Sequence, residues 1–251
     1  MSETFIAGRI LFIGAHCDDI EIGCGGTAAK FVSKSHPIAF ATATLPQDEK
    51  MAETRRREAI NAAALLGLSE QRRSMFFGPL LDGDLNRKHK ELREWLKAVA
   101  AEFRPDTVFV HRAGEHSDHI AIHDVSKGVF ENKNVFLYCI PRQAPDTPFV
   151  GTCGIAVSDF IETKIAMCEC HSSQRAIYIS RDSVVTTAHN CYLRWYGATK
   201  MREDGYAEEF ILRAWRDPID GAKTSAIDGS LLIPDELQLV IKPDGTFIWE
   251  D

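Results

Sequence analysis

Residues 9–19 read Arg9-Ile10-Leu11-Phe12-Ile13-Gly14-Ala15-His16-Cys17-Asp18-Asp19. Residues 9–15 form a short apolar run ending in small residues, the pattern of a strand buried in a parallel sheet. The next four residues put one imidazole and two carboxylates just beyond that strand's carboxyl end, where ligands gather in open parallel sheets. Fold and chemistry are therefore both read first from this point.

Outward from it, strand and helix patterns alternate. Pro37–Thr44, Ser74–Phe77, Thr107–His111 and Asn134–Ile140 are strand-like, and Phe77-Gly78-Pro79 is expected to end the third of these strands. Thr27–Ser33, Glu53–Leu66, Asn86–Phe103, His119–Phe130 and Asp159–Ser172 are helical, and Gly67 stops the second of these helices. This alternation predicts an α/β, Rossmann-like, mostly parallel sheet with helices on both faces. After Asp217 the texture changes. Leu237–Ile241 and Thr246–Trp249 flank Lys242-Pro243-Asp244-Gly245, a hairpin signal. The expected organisation is one domain over residues 1–216 and a small β extension over 217–251.

The chain has 251 residues, 45% hydrophobic and 26% charged, enough to bury a core without help from disulfides. A net charge of -7 does not favour nucleic-acid binding, which needs a clustered basic surface. Arg55-Arg56-Arg57 lies in a helical pattern and reads mostly as a solvated face. No apolar run is long enough to span a bilayer, and the N-terminus lacks the basic region of a signal peptide. Seven cysteines, an odd number without a Cys-x-x-Cys pair, fit reduced thiols in a cytoplasm.

Two clusters carry chemistry. His16, Asp18, Asp19 and Glu21 form the first; His111, His116, Asp118, His119 and His123 form the second. Imidazole nitrogen and carboxylate oxygen are ligands for first-row metals. The competing reading of the acids is as helix caps; that of His111 and His123 is as core histidines, the bland role expected for both. Two His/Asp clusters at strand ends favour a metal site. Gly23, Gly25 and Gly26 could cradle a phosphate at a helix N-terminus, but the order Gly-x-Gly-Gly is not a dinucleotide fingerprint. A tight turn and close helix–sheet packing is the preferred reading.

These residues resemble the LmbE-like, or PIG-L-type, N-acetylglucosaminyl deacetylases. AHCDDIEIGCGGT (residues 15–27) is similar to the family's A-H-P-D-D-E motif and glycine-rich turn, and His116-Ser117-Asp118-His119 to its H-x-D-H motif. Weaker likenesses are Arg55-x-x-Glu58 with Ala62-Ala63 and Leu66-Gly67, then Asp82-Gly83, Lys164 with His171-Ser172-Ser173-Gln174, and Tyr206-Ala207-Glu208. Cys17 replaces the usual proline, and Glu21 stands one place after the usual glutamate.

The resemblance implies that His16, Asp19 and His119 hold a zinc ion, or another divalent metal such as Fe2+ or Mn2+. It implies Asp18 as general base, and His116 as oxyanion stabiliser or acid to the leaving amine. Arg55 would contact substrate, a surface salt bridge being its alternative. The expected partner is a small N-acetyl amino sugar or conjugate, and a homo-oligomer is compatible with the β tail. Three alternatives remain open: a nucleotide-dependent Rossmann-like enzyme, an amidase on a thiol conjugate, and a metal-stabilised binding module. Residues 141–158 are expected to form part of a pocket rim.

Overall fold

The computed structural model describes residues 8–114, 116–140, 151, 153–174, 180–196, 205–216, 223–224, 238–241 and 247–250. Five parallel strands form its centre: β1 (Ile10–Gly14), β2 (Ile38–Leu45), β3 (Met75–Leu81), β4 (Thr107–His111) and β5 (Asn134–Tyr138), in the order β3-β2-β1-β4-β5. The chain winds outward from β1 through β2 and β3, then returns to β4 on β1's other side. The switch point thus lies between the carboxyl ends of β1 and β4, where such sheets bind ligands.

The continuous apolar strands have the physical cause expected of them. Every residue of β1, β4 and β5 is buried, because helices cover both faces. On one face Phe12, Phe109 and Phe136 stack in series, with centroids 4.7 and 4.8 Å apart, beneath α1 (Asp19–Ser33), α2 (Glu49–Ala64) and α5 (Ile161–Glu169). On the other, Leu11, Ile13, Val108 and Val110 pack under α3 (His89–Phe103) and α4 (Ser117–Val129).

The sheet continues past β5 through elements that the sequence reading did not assign. β7 (Ala207–Arg216) pairs antiparallel with β5, and β6 (Cys153–Ala156) antiparallel with β7. The two-residue β8 (Lys223–Thr224) also pairs with β7. A sixth helix, α6 (Arg181–Tyr196), packs against β7. The two tail strands, β9 (Gln238–Ile241) and β10 (Phe247–Glu250), pair antiparallel, and β10 joins β6 at the sheet's edge. The connecting residues 242–246 lie outside the described residues.

Two local expectations are corrected. Gly78-Pro79 does not end β3, which runs on to Leu81. β3 is an edge strand, so a proline without an N–H is tolerated there. A Cβ on Gly78 would stand 2.2 Å from the Ala43 carbonyl oxygen, beside the register shift between Thr42 and Thr44. The glycines 23, 25 and 26 form no turn. They lie inside α1, which begins already at Asp19. Close packing is what they serve: a Cβ on Gly23 would meet the Tyr138 ring at 2.4 Å, and one on Gly26 would meet Val157 at 2.9 Å.

A buried ion pair locks α1 at these glycines. Lys164 of α5 is bonded to Glu208 of β7 and donates to the Ile22 carbonyl at 2.6 Å. Glu208 accepts from the Gly26 and Thr27 N–H groups at 3.0 and 2.8 Å. Lys164 and Glu208 are 4% and 5% exposed, so neither charge is answered by water. Removing one partner of such a pair costs about 3–5 kcal/mol, because the other stays buried and unpaired. Lys164→Ala should therefore lower the free energy of urea unfolding by about that amount; a change below about 1 kcal/mol, as for a surface pair, would show that the clamp contributes little.

Candidate metal centre

β1 and β4 deliver the two clusters to one place. The tight passage from β1 into α1 puts His16 at the strand end and Asp18 at the helix N-cap position, with Asp19 as the first helical residue. Helix capping does not explain these acids, since the Asp18 side chain makes no capping hydrogen bond. Asp19 instead turns back and accepts from the His16 N–H at 2.7 Å. From β4, His116 caps α4 by accepting from the Asp118 N–H at 3.3 Å, which seats His119 on the helix's first turn.

His16 Nδ1, Asp19 Oδ2 and His119 Nε2 form a triangle with sides of 3.3, 3.4 and 3.4 Å. Three ligands each about 2.1 Å from a tetrahedral zinc stand about 3.4 Å apart, so the donor set fits such an ion and leaves its fourth position open. The other ring nitrogen of His16 supports this. Nε2 lies 3.2 Å from Asp82 and 3.3 Å from Asp118. Carboxylates only accept, so Nε2 carries the proton and Nδ1 keeps its lone pair for a ligand's role. Asp118 is itself pinned by the Gly83 and Leu85 N–H groups at 2.7 and 3.1 Å.

Other overlapping groups of donors are close enough for an ion: His16, His116 and His119; Asp19, His111 and His119; His16, Asp82 and Asp118. The last is an orienting network, since Asp118 is already occupied by backbone donors. In the second, the rings of His111 and His119 lie parallel, 3.9 Å between centroids and 12° apart. In-plane lone pairs of parallel rings run side by side and do not converge on one ion. In the first, His116 stands edge-on to His16 at 4.8 Å between centroids and remains half-exposed, on the open side of the triangle.

The two neighbouring aspartates are driven apart electrostatically. Burial and the charge of Asp19 push the Asp18 carboxyl up, with His171, His16 and Arg55 pulling against them. Burial would raise Asp19 too, but His111, His119 and His16 outweigh it and hold that carboxyl well below the usual range. One carboxyl is thus suited to take a proton and the other to stay charged, a separation that marks acid–base pairs in sites. Arg55 reaches the same pocket from α2. Its charge acts on Cys17, Asp18 and Asp82, and its Nε is buried without a hydrogen-bond partner. The Cys17 thiol is pushed far up by burial and by Asp18, and Cys17 is in none of the candidate donor groups found among the described residues.

The sequence reading missed Asp82 and Asp118 as orienting acids, and it took His111 for a plain core residue. It also missed what joins the weaker motifs: Glu58 of α2 accepts from Ser172 Oγ, Ser173 N and Ser173 Oγ at 2.9, 2.8 and 2.6 Å. That clasp holds the turn carrying His171. His123 keeps its bland role, its Nδ1 lying 2.9 Å from the His111 carbonyl. The expected rim is testable only in part, since residues 141–150 and 152 lie outside the described residues.

Parts of this chain are similar to known proteins. Residues 11–130 match the PIG-L family, described as GlcNAc-PI de-N-acetylase. An uncharacterized deacetylase from Escherichia coli (strain K12), YaiS, is 31% identical over 120 residues, which are 47% of this chain and 65% of that protein. The match thus spans just under two thirds of that relative's length. The fold is shared with an N,N'-diacetylchitobiose deacetylase from Pyrococcus horikoshii (TM-score 0.60, 20% identity, 81% of this chain and 83% of that one). It is shared equally with a 4-carboxy-2-hydroxymuconate hydratase, GalB, from Pseudomonas putida KT2440 (TM-score 0.64, 18% identity, 84% and 98%).

The site is hostile to phosphate: the N-terminus of α1 bears Asp18 and Asp19, and its glycines face Tyr138 and Val157. Zinc(II) at a hundred times its Kd should accordingly raise unfolding free energy by about 2.7 kcal/mol, whereas NAD or ATP should leave the urea midpoint unmoved. Stabilisation by a nucleotide, undiminished by chelator, would restore the nucleotide-dependent reading.

Proposed function

We propose that this chain is a divalent-metal-dependent deacetylase acting on an N-acetylated amino sugar or sugar conjugate, a reading supported by the match of residues 11–130 to the PIG-L family. The observation that carries the proposal is the 3.3–3.4 Å triangle of His16, Asp19 and His119, with the His116 ring 4.8 Å from that of His16 and the Asp18 carboxyl, next to Asp19 in the chain, pushed up. Its donor set suits zinc, and Fe2+ or Mn2+ are chemically compatible with two imidazoles and a carboxylate.

When bound, a divalent ion acidifies a water and polarises a carbonyl oxygen. Asp18 receives the proton of the attacking water as its oxygen bonds to the acetamide carbon. His116 faces the oxygen that becomes negative. Because His116 Nδ1 accepts from the Asp118 N–H, its proton sits on Nε2 in the neutral ring. Burial and the charges of His16 and His119 lower its proton affinity further. His116 therefore acts as a hydrogen-bond donor to the oxyanion, a contribution of about 10²–10³ in turnover for comparable donors. The proton held by Asp18 then passes to the departing nitrogen, releasing a primary amine and acetate. Arg55, whose charge reaches Asp18 from α2, would contact the sugar.

The deciding experiment is amine release from a panel of N-acetyl amino sugars and nucleotide sugars, with and without chelator. Chelator-sensitive release from at least one is expected; bound metal without release from any would favour a binding module. Asp18→Asn should lose about 10²–10⁴ in turnover with metal content unchanged, and near-normal turnover would remove Asp18 from the mechanism. The double variant His16→Ala, His119→Ala should come through dialysis without metal, as elemental analysis would register; a full equivalent would overturn the ligand assignment.

A further inference from the structure

His111 belongs neither to the metal triangle nor to the Asp18–Asp19 pair, yet it is 1% exposed and its ring reaches Asp19. Its Nε2 lies 2.9 Å from Asp19 Oδ2. The Tyr138 hydroxyl lies 3.1 Å from the same nitrogen and donates to the Ile13 carbonyl at 2.7 Å, so its oxygen is left as an acceptor towards the ring. The Ala15 N–H also approaches Nε2, at 3.3 Å. A ring nitrogen 2.9 Å from an ionised carboxylate must nonetheless carry the proton, because two acceptors at that distance repel. We propose that His111 is a positioning residue for the metal centre: its Nε2–H, steadied by the Tyr138 hydroxyl, fixes the Asp19 carboxylate in the orientation that completes the triangle.

The geometry leaves Asp19 little choice. The His16 N–H at 2.7 Å and His111 Nε2 both act on the same carboxylate oxygen, one from the chain's own turn and one from β4. His111 is fixed in turn by the parallel ring of His119 and by the His123 contact to its carbonyl. The donor thus ends β4, and the ligand it serves opens the helix that follows β1, the two strands that flank the switch point. A rigid donor there reduces the ordering that metal binding must impose, and such outer partners typically change metal affinity 10–100-fold.

The proposal rests on the assignment of His16, Asp19 and His119 as ligands. It is tested by the apparent Kd for zinc(II), measured on the full chain by competition with a chromophoric chelator. His111→Phe keeps a flat ring against His119 but lacks the donor, and should weaken zinc binding about 10–100-fold. His111→Gln, whose amide can reach Asp19, should bind within a few-fold of the parent, and the shorter His111→Asn should not. That Gln–Asn contrast decides the matter even where the Phe variant does not fold, because loss of core packing alone would weaken both. Equal affinities of the parent and a folded His111→Phe, or of the Gln and Asn variants, overturn the proposal and leave the ligand assignment standing. A parent that binds no zinc overturns both.

Discussion

Two adjacent carboxylates buried at the end of β1 are the constraint around which this molecule is arranged. Asp18 and Asp19 are 7% and 3% exposed, so water cannot answer their charges. Buried carboxylates must be paired, hydrogen-bonded or protonated. The chain answers them with imidazoles from β4 and α4, and with Arg55 and His171 from the α2 and α5–α6 side. Because the two groups of partners arrive from different directions, the neighbours end with opposite tendencies. Asp19 faces three imidazoles and stays charged; Asp18 faces its charged neighbour and takes up protons more readily.

The fold supplies this asymmetry cheaply. At the switch point between β1 and β4, two strand ends diverge into two helices, and side chains can enter from both without crowding. The glycines of α1 let that helix lie flat on Tyr138 and Val157, and the Lys164–Glu208 pair anchors it from the far side. Without that seating, the start of α1 would be free to shift, and Asp18 with Asp19 would shift with it. The Glu58 clasp does the same for the turn that carries His171. Motifs that look unrelated along the chain are thus successive supports of one carboxylate pair.

That distinction explains which parts could be read in advance. The central strands were legible because burial on both faces demands apolar residues at every position, a signal that survives without tertiary knowledge. His16, Asp19 and His119 could be singled out because their motifs sit at strand ends and resemble those of a known family, and the structure brings the three together. The glycines misled because local propensity says turn, whereas the nearness of Tyr138, 115 residues away in the chain, is what they accommodate. Pro79 misled because only the sheet order reveals an edge strand. β6, β7 and α6 were missed because each is interpretable only through the partners it packs on. The supporting roles of His111, Asp82 and Asp118 were not legible, since a residue at the end of a strand or the start of a helix looks the same whether it fills a core or steadies a neighbouring side chain.

The likeness to a hydratase limits what the fold can say about the reaction. A scaffold that superposes on both a sugar deacetylase and GalB is compatible with adding water to different bonds. What such reactions share is an activated water; what separates them is the group facing the substrate's developing charge. In the proposed deacetylase that group would be His116, whose N-cap bond leaves the proton of its neutral ring on Nε2. A hydrogen-bond donor working with a carboxyl that takes up protons readily would suit an oxygen that gains negative charge as water attacks its carbon. Amide hydrolysis has that charge pattern, and in the proposed reaction the asymmetry between Asp18 and Asp19 would give the proton a place to wait until the amine departs.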